Sequence, residues 1–94
     1  GMADQDVVEV SCRVDGAGVH VLPIGAVPAP QLGLMQAVKR YEHLTLQAIR
    51  EHSRQRAVEA LMAHPLVLSY SRAKPLVDEY LAAHAAWVGE WKNT

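Results

Sequence analysis

An α+β domain, built as a β-hairpin followed by three helices, is what this sequence predicts, and three observations carry the prediction. Valines alternate with polar residues near the amino terminus. Two glycines sit in a short break after that run, and from Gln31 onward the apolar residues recur with helical rather than strand spacing.

The strand reading rests on Val7-Val8-Glu9-Val10-Ser11-Cys12-Arg13-Val14, where Val8, Val10, Cys12 and Val14 share one face and Glu9, Ser11 and Arg13 the other. That period describes a half-buried strand, with Cys12 inward as a small hydrophobe. Asp15-Gly16-Ala17-Gly18 then supplies a turn, and Val19-His20-Val21-Leu22 returns until Pro23 stops it, which gives a hairpin over about 7–22. A two-stranded hairpin is marginal in water alone, so it needs helices or another chain to pack against. Pro23, Gly25, Pro28 and Pro30 make an irregular connector over 23–30.

Gln31 to His52 contains no proline, and on a wheel of about 100° per residue Leu34, Met35, Val38, Tyr41, Leu44 and Ile49 fall on one broad arc. An arc this wide predicts the central helix, contacted from more than one side. Ser53 is the natural N-cap of a second helix over 53–63, with Val58, Leu61 and Met62 inward and Pro65 forbidding continuation. Leu66-Val67-Leu68 would cross an apolar surface. A third helix over 72–91 places Pro75 in its first turn, and Leu76, Val77, Tyr80, Leu81, Trp87 and Trp91 on one face with His84 near the middle of it.

At 94 residues the chain is read as one domain, 2–94, small enough that its stability is marginal without a partner. Gly1 before Met2 reads as a tag remnant, and with Met2 as a natural start the chain would be a whole gene product. Nine Lys and Arg against ten Asp and Glu, with no basic run, argue against nucleic acid. No apolar run approaches the roughly 18 residues that cross a membrane, no signal peptide opens the chain, and its single cysteine cannot pair internally, so the expected setting is cytoplasmic.

Two residues stand out as candidates for a polar or substrate-side role. Glu42 lies inside the apolar arc, where a carboxylate has to be neutralised, paired or hydrogen-bonded. It either contacts substrate or cofactor, or caps a turn or pairs with an arginine such as Arg13, Arg54 or Arg72; the second reading is favoured, since charges are seldom buried unpaired. His84 is either a metal ligand or general base, or a core histidine with one satisfied nitrogen, and the latter is the commoner fate of a lone histidine on an apolar face. The other histidines show no H-E-x-x-H spacing and no cysteine pair, and neither G-x-G-x-x-G nor a phosphate-cradling loop is present. Trp87 and Trp91, one helical turn apart, read as core or subunit-interface packing in preference to a ligand platform.

Tyr41-Glu42-x-Leu44-Thr45, followed by Ala60-Leu61 and His64-Pro65-Leu66-Val67, resembles the carboxyl-terminal part of glycoside hydrolase family four. Val7-Val8-Glu9-Val10-Ser11-Cys12 is similar to that family's V-V-E-V-P-C strand with serine in place of proline, and Leu22-Pro23-Ile24-Gly25 and Val27-Pro28 extend the likeness. The H-P-L-V segment is nearer to the 6-phospho-β-glucosidase branch. The resemblance implies a C-terminal domain like that of lactate dehydrogenase, and a parent enzyme that cleaves O-glycosyl bonds by a redox-elimination route using NAD and a divalent metal, typically manganese. Such an enzyme oxidises the sugar at C3, removes the C2 proton, eliminates the aglycone, adds water and reduces the ketone again. The NAD turn, metal-holding residues, acid and base of relatives lie upstream of the strand that opens this chain, so the resemblance assigns no catalytic, cofactor-binding or metal residue here. It implies a domain inactive by itself, a homo-oligomer of at least two copies, and an upstream catalytic domain or full-length homologue as partner. The alternative from a different class is a non-enzymatic oligomerisation or interaction module derived from that family.

Overall fold

The computed structural model describes residues 2–94 and confirms the class, with a hairpin followed by helices, though four helices rather than three. Strands β1 (Cys12–Asp15) and β2 (Gly18–Val21) pair antiparallel in the register Cys12↔Val21, Arg13↔His20, Val14↔Val19 and Asp15↔Gly18. The Asp15 carboxylate accepts the Ala17 N–H at 2.9 Å, and Gly18 takes φ 122°, a value that residues with a Cβ avoid. The ladder is shorter than the valine alternation predicts. One more bond, from Leu22 N–H to the Ser11 carbonyl, extends it; beyond that Pro23 has no N–H to give and Gly25, at φ 71°, turns the chain away from residues 7–10.

The predicted half-buried face of the hairpin is uncovered. Val14, Val19 and Val21 are each about two-thirds or more exposed, and Cys12 is exposed too, because the hairpin packs on none of the helices.

Helix α1 (Ala29–Glu51) begins two residues before the sequence suggests, since Pro30 is accommodated in a first turn whose N–H groups have no helical partner anyway. It ends at His52, which adopts the left-handed conformation at φ 48°. Ser53 follows in an extended conformation, and its Oγ accepts the Arg56 N–H at 3.1 Å, the expected N-cap of α2 (Arg54–Ala63). Pro65 stops α2 as predicted. Val58 and Ala60 of α2 are buried, whereas Met62 faces solvent, as do Leu66 and Leu68 in the following segment; only Val67 of that segment turns inward to pack.

Helix α3 (Tyr70–Ala83) starts two residues early, so Pro75 lies in its second turn rather than its first. The carbonyl it leaves without an N–H is that of Ser71, which is exposed to water. The predicted continuous helix to residue 91 is broken at His84 (φ −110°, ψ 17°), after which α4 (Ala85–Val88) is a single turn ended by Gly89 at φ 69°. The tail then folds back. Lys92 N–H reaches the His52 carbonyl at 2.8 Å, Arg54 N–H reaches the Lys92 carbonyl at 3.0 Å, and Ser53 Oγ donates to the Thr94 carbonyl.

The core is small: Val58, Ala73 and Val77, ringed by Ala57, Leu61, Val67 and Leu81. Helix α2 is therefore the central element, packed on α1 on one side and α3 on the other. Helix α1, expected to be central, buries only Ala48 fully, while Leu34, Leu46 and Ile49 remain about half exposed. The radius of gyration is 17.2 Å, against about 12 Å for a compact domain of this length.

Candidate functional site

Three of the shallow grooves formed by the described residues bear on the candidate side chains. The first, about 560 Å³, runs between the extended N-terminal segment and α1 and is lined by Val7, Val8, Leu34, Met35, Val38 and Glu42 among others. Glu42 is neither buried nor paired with an arginine. Its carboxylate accepts a 2.6 Å bond from Lys39 Nζ, one turn earlier on α1, and is nearly half exposed. The sequence put Glu42 on an apolar arc; that part of the arc faces the open groove, so a neighbouring lysine is enough to satisfy it. Near the same groove, Asp6 bonds His43 Nε2 at 2.8 Å and accepts the Ala3 N–H. The His43 bond, aided by that N–H, holds the Asp6 carboxyl below its usual 3.8.

His84 is not in the core. It lies exposed at the α3–α4 break, where its backbone carbonyl accepts the Trp87 and Val88 N–H groups at 2.8 and 3.0 Å. None of the three grooves holds both Glu42 and His84.

A second groove, about 540 Å³, lies between α2 and α3. Asp78 bridges Lys74 Nζ at 2.8 Å and Arg54 Nη1 at 3.1 Å there, and Glu59 beside it is held by Arg56 at 3.0 Å. The Lys74 hydrogen bond keeps the Asp78 carboxyl below the ordinary range, and the same bond raises Lys74. This polar cluster was not singled out from the sequence, although Lys74 and Asp78 stand four apart on one helix, a spacing that signals such a pair. A general acid at neutral pH needs a carboxyl raised toward neutrality, and the shifted carboxyls at Asp6, Glu51 and Asp78 all move the other way. Among the described residues no three His, Cys, Asp or Glu side chains gather closely enough to hold a metal ion. Among the described residues no helix is long and apolar enough to cross a membrane.

The third groove is apolar, about 170 Å³, and lies among α1, α2, α3 and the returning tail, with Ala48, Ala60 and Val77 at its base and Tyr41, Tyr80 and Trp91 on its walls. Beside it the Tyr41 ring meets His64 edge to face, with centroids 4.8 Å apart, and His64 Nδ1 accepts the Leu66 N–H at 3.1 Å. Thr45 Oγ1 in turn donates to the Tyr41 carbonyl at 2.8 Å. The Y-E-x-L-T and H-P-L-V segments thus touch each other and join α1 to the end of α2. The model of the family 4 glycosyl hydrolase C-terminal domain matches residues 1–67, ending on the last residue of that H-P-L-V segment.

The chain belongs to glycoside hydrolase family four. Over 87 residues this family-four chain is 37% identical to the 6-phospho-beta-glucosidase BglT of Thermotoga maritima, covering 93% of the chain and 21% of that protein. It is 37% identical over 84 residues to the phospho-alpha-glucosidase PagL of Clostridium acetobutylicum, covering 89% of the chain and 19% of the relative. A maltose-6'-phosphate glucosidase of Fusobacterium mortiferum is 32% identical over 78 residues, or 83% of the chain and 18% of that enzyme. The chain therefore spans about a fifth of the length of the curated relatives it matches. No solved structure gives a significant match. The family expected from the motifs is the one found, and its motif residues in this chain meet in packing contacts.

Proposed function

We propose that this chain is the closing segment of the substrate domain of a 6-phospho-glycosidase, of the 6-phospho-β-glucosidase branch, and that it hydrolyses nothing by itself. The observation that carries the reading is the family match to residues 1–67 in a chain that spans a fifth of its relatives. Two features of the molecule support it. Tyr41 and His64 of the family segments hold α1 to the end of α2, and the Thr45 hydroxyl is taken up by the Tyr41 carbonyl within α1. The hairpin and the outer face of α1 are left as apolar surface for a larger body to cover.

In this reading the parent enzyme uses NAD and a divalent metal such as manganese, which supply the redox and polarising chemistry of a glycosidase outside the two-carboxylate scheme. The residues of this chain do not fit either group: no donor cluster of metal-ligand type and no glycine-rich phosphate turn is found among the described residues. No step is therefore assigned to them. The contribution of the chain is packing, with the hairpin joining strands of the upstream catalytic domain and α1 backing it. A cytoplasmic setting accords with the lone Cys12, which is exposed and free.

The test is to incubate the purified chain with p-nitrophenyl-β-glucoside 6-phosphate and its α-anomer in the presence of NAD, manganese and a reductant. No release of nitrophenol is expected. Mixing it with a family-four polypeptide cut before its own C-terminal segment should restore turnover; hydrolysis by the chain alone would refute the reading.

A further inference from the structure

The chain ends by folding back, and one residue decides the direction. Gly89 takes φ 69° and ψ −162°, a combination open essentially to glycine alone. Among the described residues, its chain neighbours aside, no heavy atom lies within 4 Å of where a Cβ would stand. Glycine is therefore needed there for its backbone and not for space. The residues beyond it reach the α1–α2 junction, where Lys92 and Ser53 form a parallel bridge: Lys92 N–H donates to the His52 carbonyl and Arg54 N–H to the Lys92 carbonyl. The Trp91 ring lies 5.5 Å from that of His52, and its Nε1 donates to the Val88 carbonyl at 3.2 Å. The tail is also a wall shared by two grooves. Trp91 lines the apolar cleft with Tyr41, Ala48 and Val77, and Asn93 lines the polar groove beside Arg54 and Asp78.

We propose that residues 89–94 are a strap hinged at Gly89, which closes the apolar cleft with Trp91 and opens as a unit while the helices stay folded. The way the tail is held separates it from the rest of the molecule. From Gly89 onward only Trp91 is partly buried and the other residues are exposed, whereas the core of Val58, Ala73 and Val77 lies outside the tail. Few apolar contacts and exposed backbone hydrogen bonds mark the segments that open first. Opening breaks the Lys92 and Arg54 bonds together, yet Ser53 Oγ still caps α2 through the Arg56 N–H, so the helix does not need the strap. Because one tail lines both grooves, one motion changes both. It takes Trp91 from the apolar cleft and Asn93 from the polar groove, and the cleft is left able to receive another aromatic ring where the indole stood. This device rests on the tail's geometry alone and not on the glycosidase reading.

Amide hydrogen exchange on the full chain tests this, with the parent, Gly89→Ala and Lys92→Pro as samples. In the parent, the Lys92 and Arg54 amides should show one common protection factor, at least about 10-fold below that of the Val77 amide in the core. Gly89→Ala places a Cβ on a glycine-only conformation and should lower both factors at least about five-fold, leaving the Ala57 and Val77 amides unchanged. Lys92→Pro keeps the hinge but removes the N–H that meets His52, and should lower the Arg54 factor at least about two-fold. Free indole, the ring that Trp91 carries, is then titrated against the parent and Gly89→Ala, and the Ala48 and Val77 amide resonances report on the cleft alone. Its affinity there should rise by the same factor as the open population. Unequal protection of Lys92 and Arg54, exchange of both only at the rate of Val77, or an indole affinity that is the same in both chains would each overturn the proposal.

Discussion

Ser53 is 1% exposed and joins three parts of the molecule, and its replacement by alanine gives a prediction with a workable magnitude. The hydroxyl caps α2 by accepting the Arg56 N–H at 3.1 Å and at the same time donates to the Thr94 carbonyl of the returning tail. Loss of a serine N-cap costs about 1 kcal/mol, and loss of the hydrogen bond to the tail adds about 0.5–1.5 kcal/mol. Ser53→Ala should therefore lower stability by about 2 kcal/mol, which for a chain of this size is roughly 10 °C in Tm. Urea titration followed by circular dichroism at fixed chain concentration measures it, since association would add to the apparent stability. The tail's share is separable. In a chain ending at Trp91 the Thr94 carbonyl is gone, so the same substitution should cost only the cap, about 1 kcal/mol. A Ser53→Ala loss below about 0.5 kcal/mol, or an equal loss in both backgrounds, would refute the double role.

Three further outcomes follow from the packing and the charges. Val77 is 4% exposed at the centre of the core, and Val77→Ala should cost about 2 kcal/mol in the same titration through lost burial and a residual void. Leu66 is 83% exposed despite its place in an apolar run, so Leu66→Ser should stay within about 0.5 kcal/mol of the parent. The Asp6 carboxyl is depressed below 3.8 in the folded chain, so its contact with His43 contributes stability above that value and loses it as pH falls through the depressed one. The N-terminal segment should accordingly leave α1 only in acid, read as a shift of the Ala3 amide resonance. Asp6→Asn should abolish that acid step.

Local chemistry was legible wherever a residue decides its own backbone. Ser53 capped a helix, Pro65 ended one, and the Asp15-Gly16-Ala17-Gly18 run made a two-residue turn, because each depends on a few neighbouring atoms. The elements that moved are those whose fate depends on distant surface. Val7 to Val10 alternate as a strand should, yet they have no partner once Pro23 and Gly25 turn the opposite segment away. The third helix satisfies one wheel from 72 to 91, but Gly89 and the return of Lys92 to His52 bend it at His84, and no periodicity reports that bond. The same bend took His84 out of the face to which the wheel assigned it. Glu42 was rightly questioned for a carboxylate on an apolar arc, and its partner, Lys39, was on the same helix.

The most instructive departure is α1, whose wide apolar arc promised enclosure and whose arc residues are mostly only partly buried, with Leu34, Leu46 and Ile49 half exposed. A hydrophobic pattern records the total burial that a sequence is built for, without saying which chain provides the cover. When a periodic arc is broad and the folded copy leaves Leu34, Leu46 and Ile49 half exposed, the difference measures surface intended for something else. The same reasoning applies to the exposed valines of the hairpin. The α1 outer face and the hairpin lie within residues 1–67, the segment that matches the family model; under the proposed function their cover is a larger catalytic body, and restored turnover reads it.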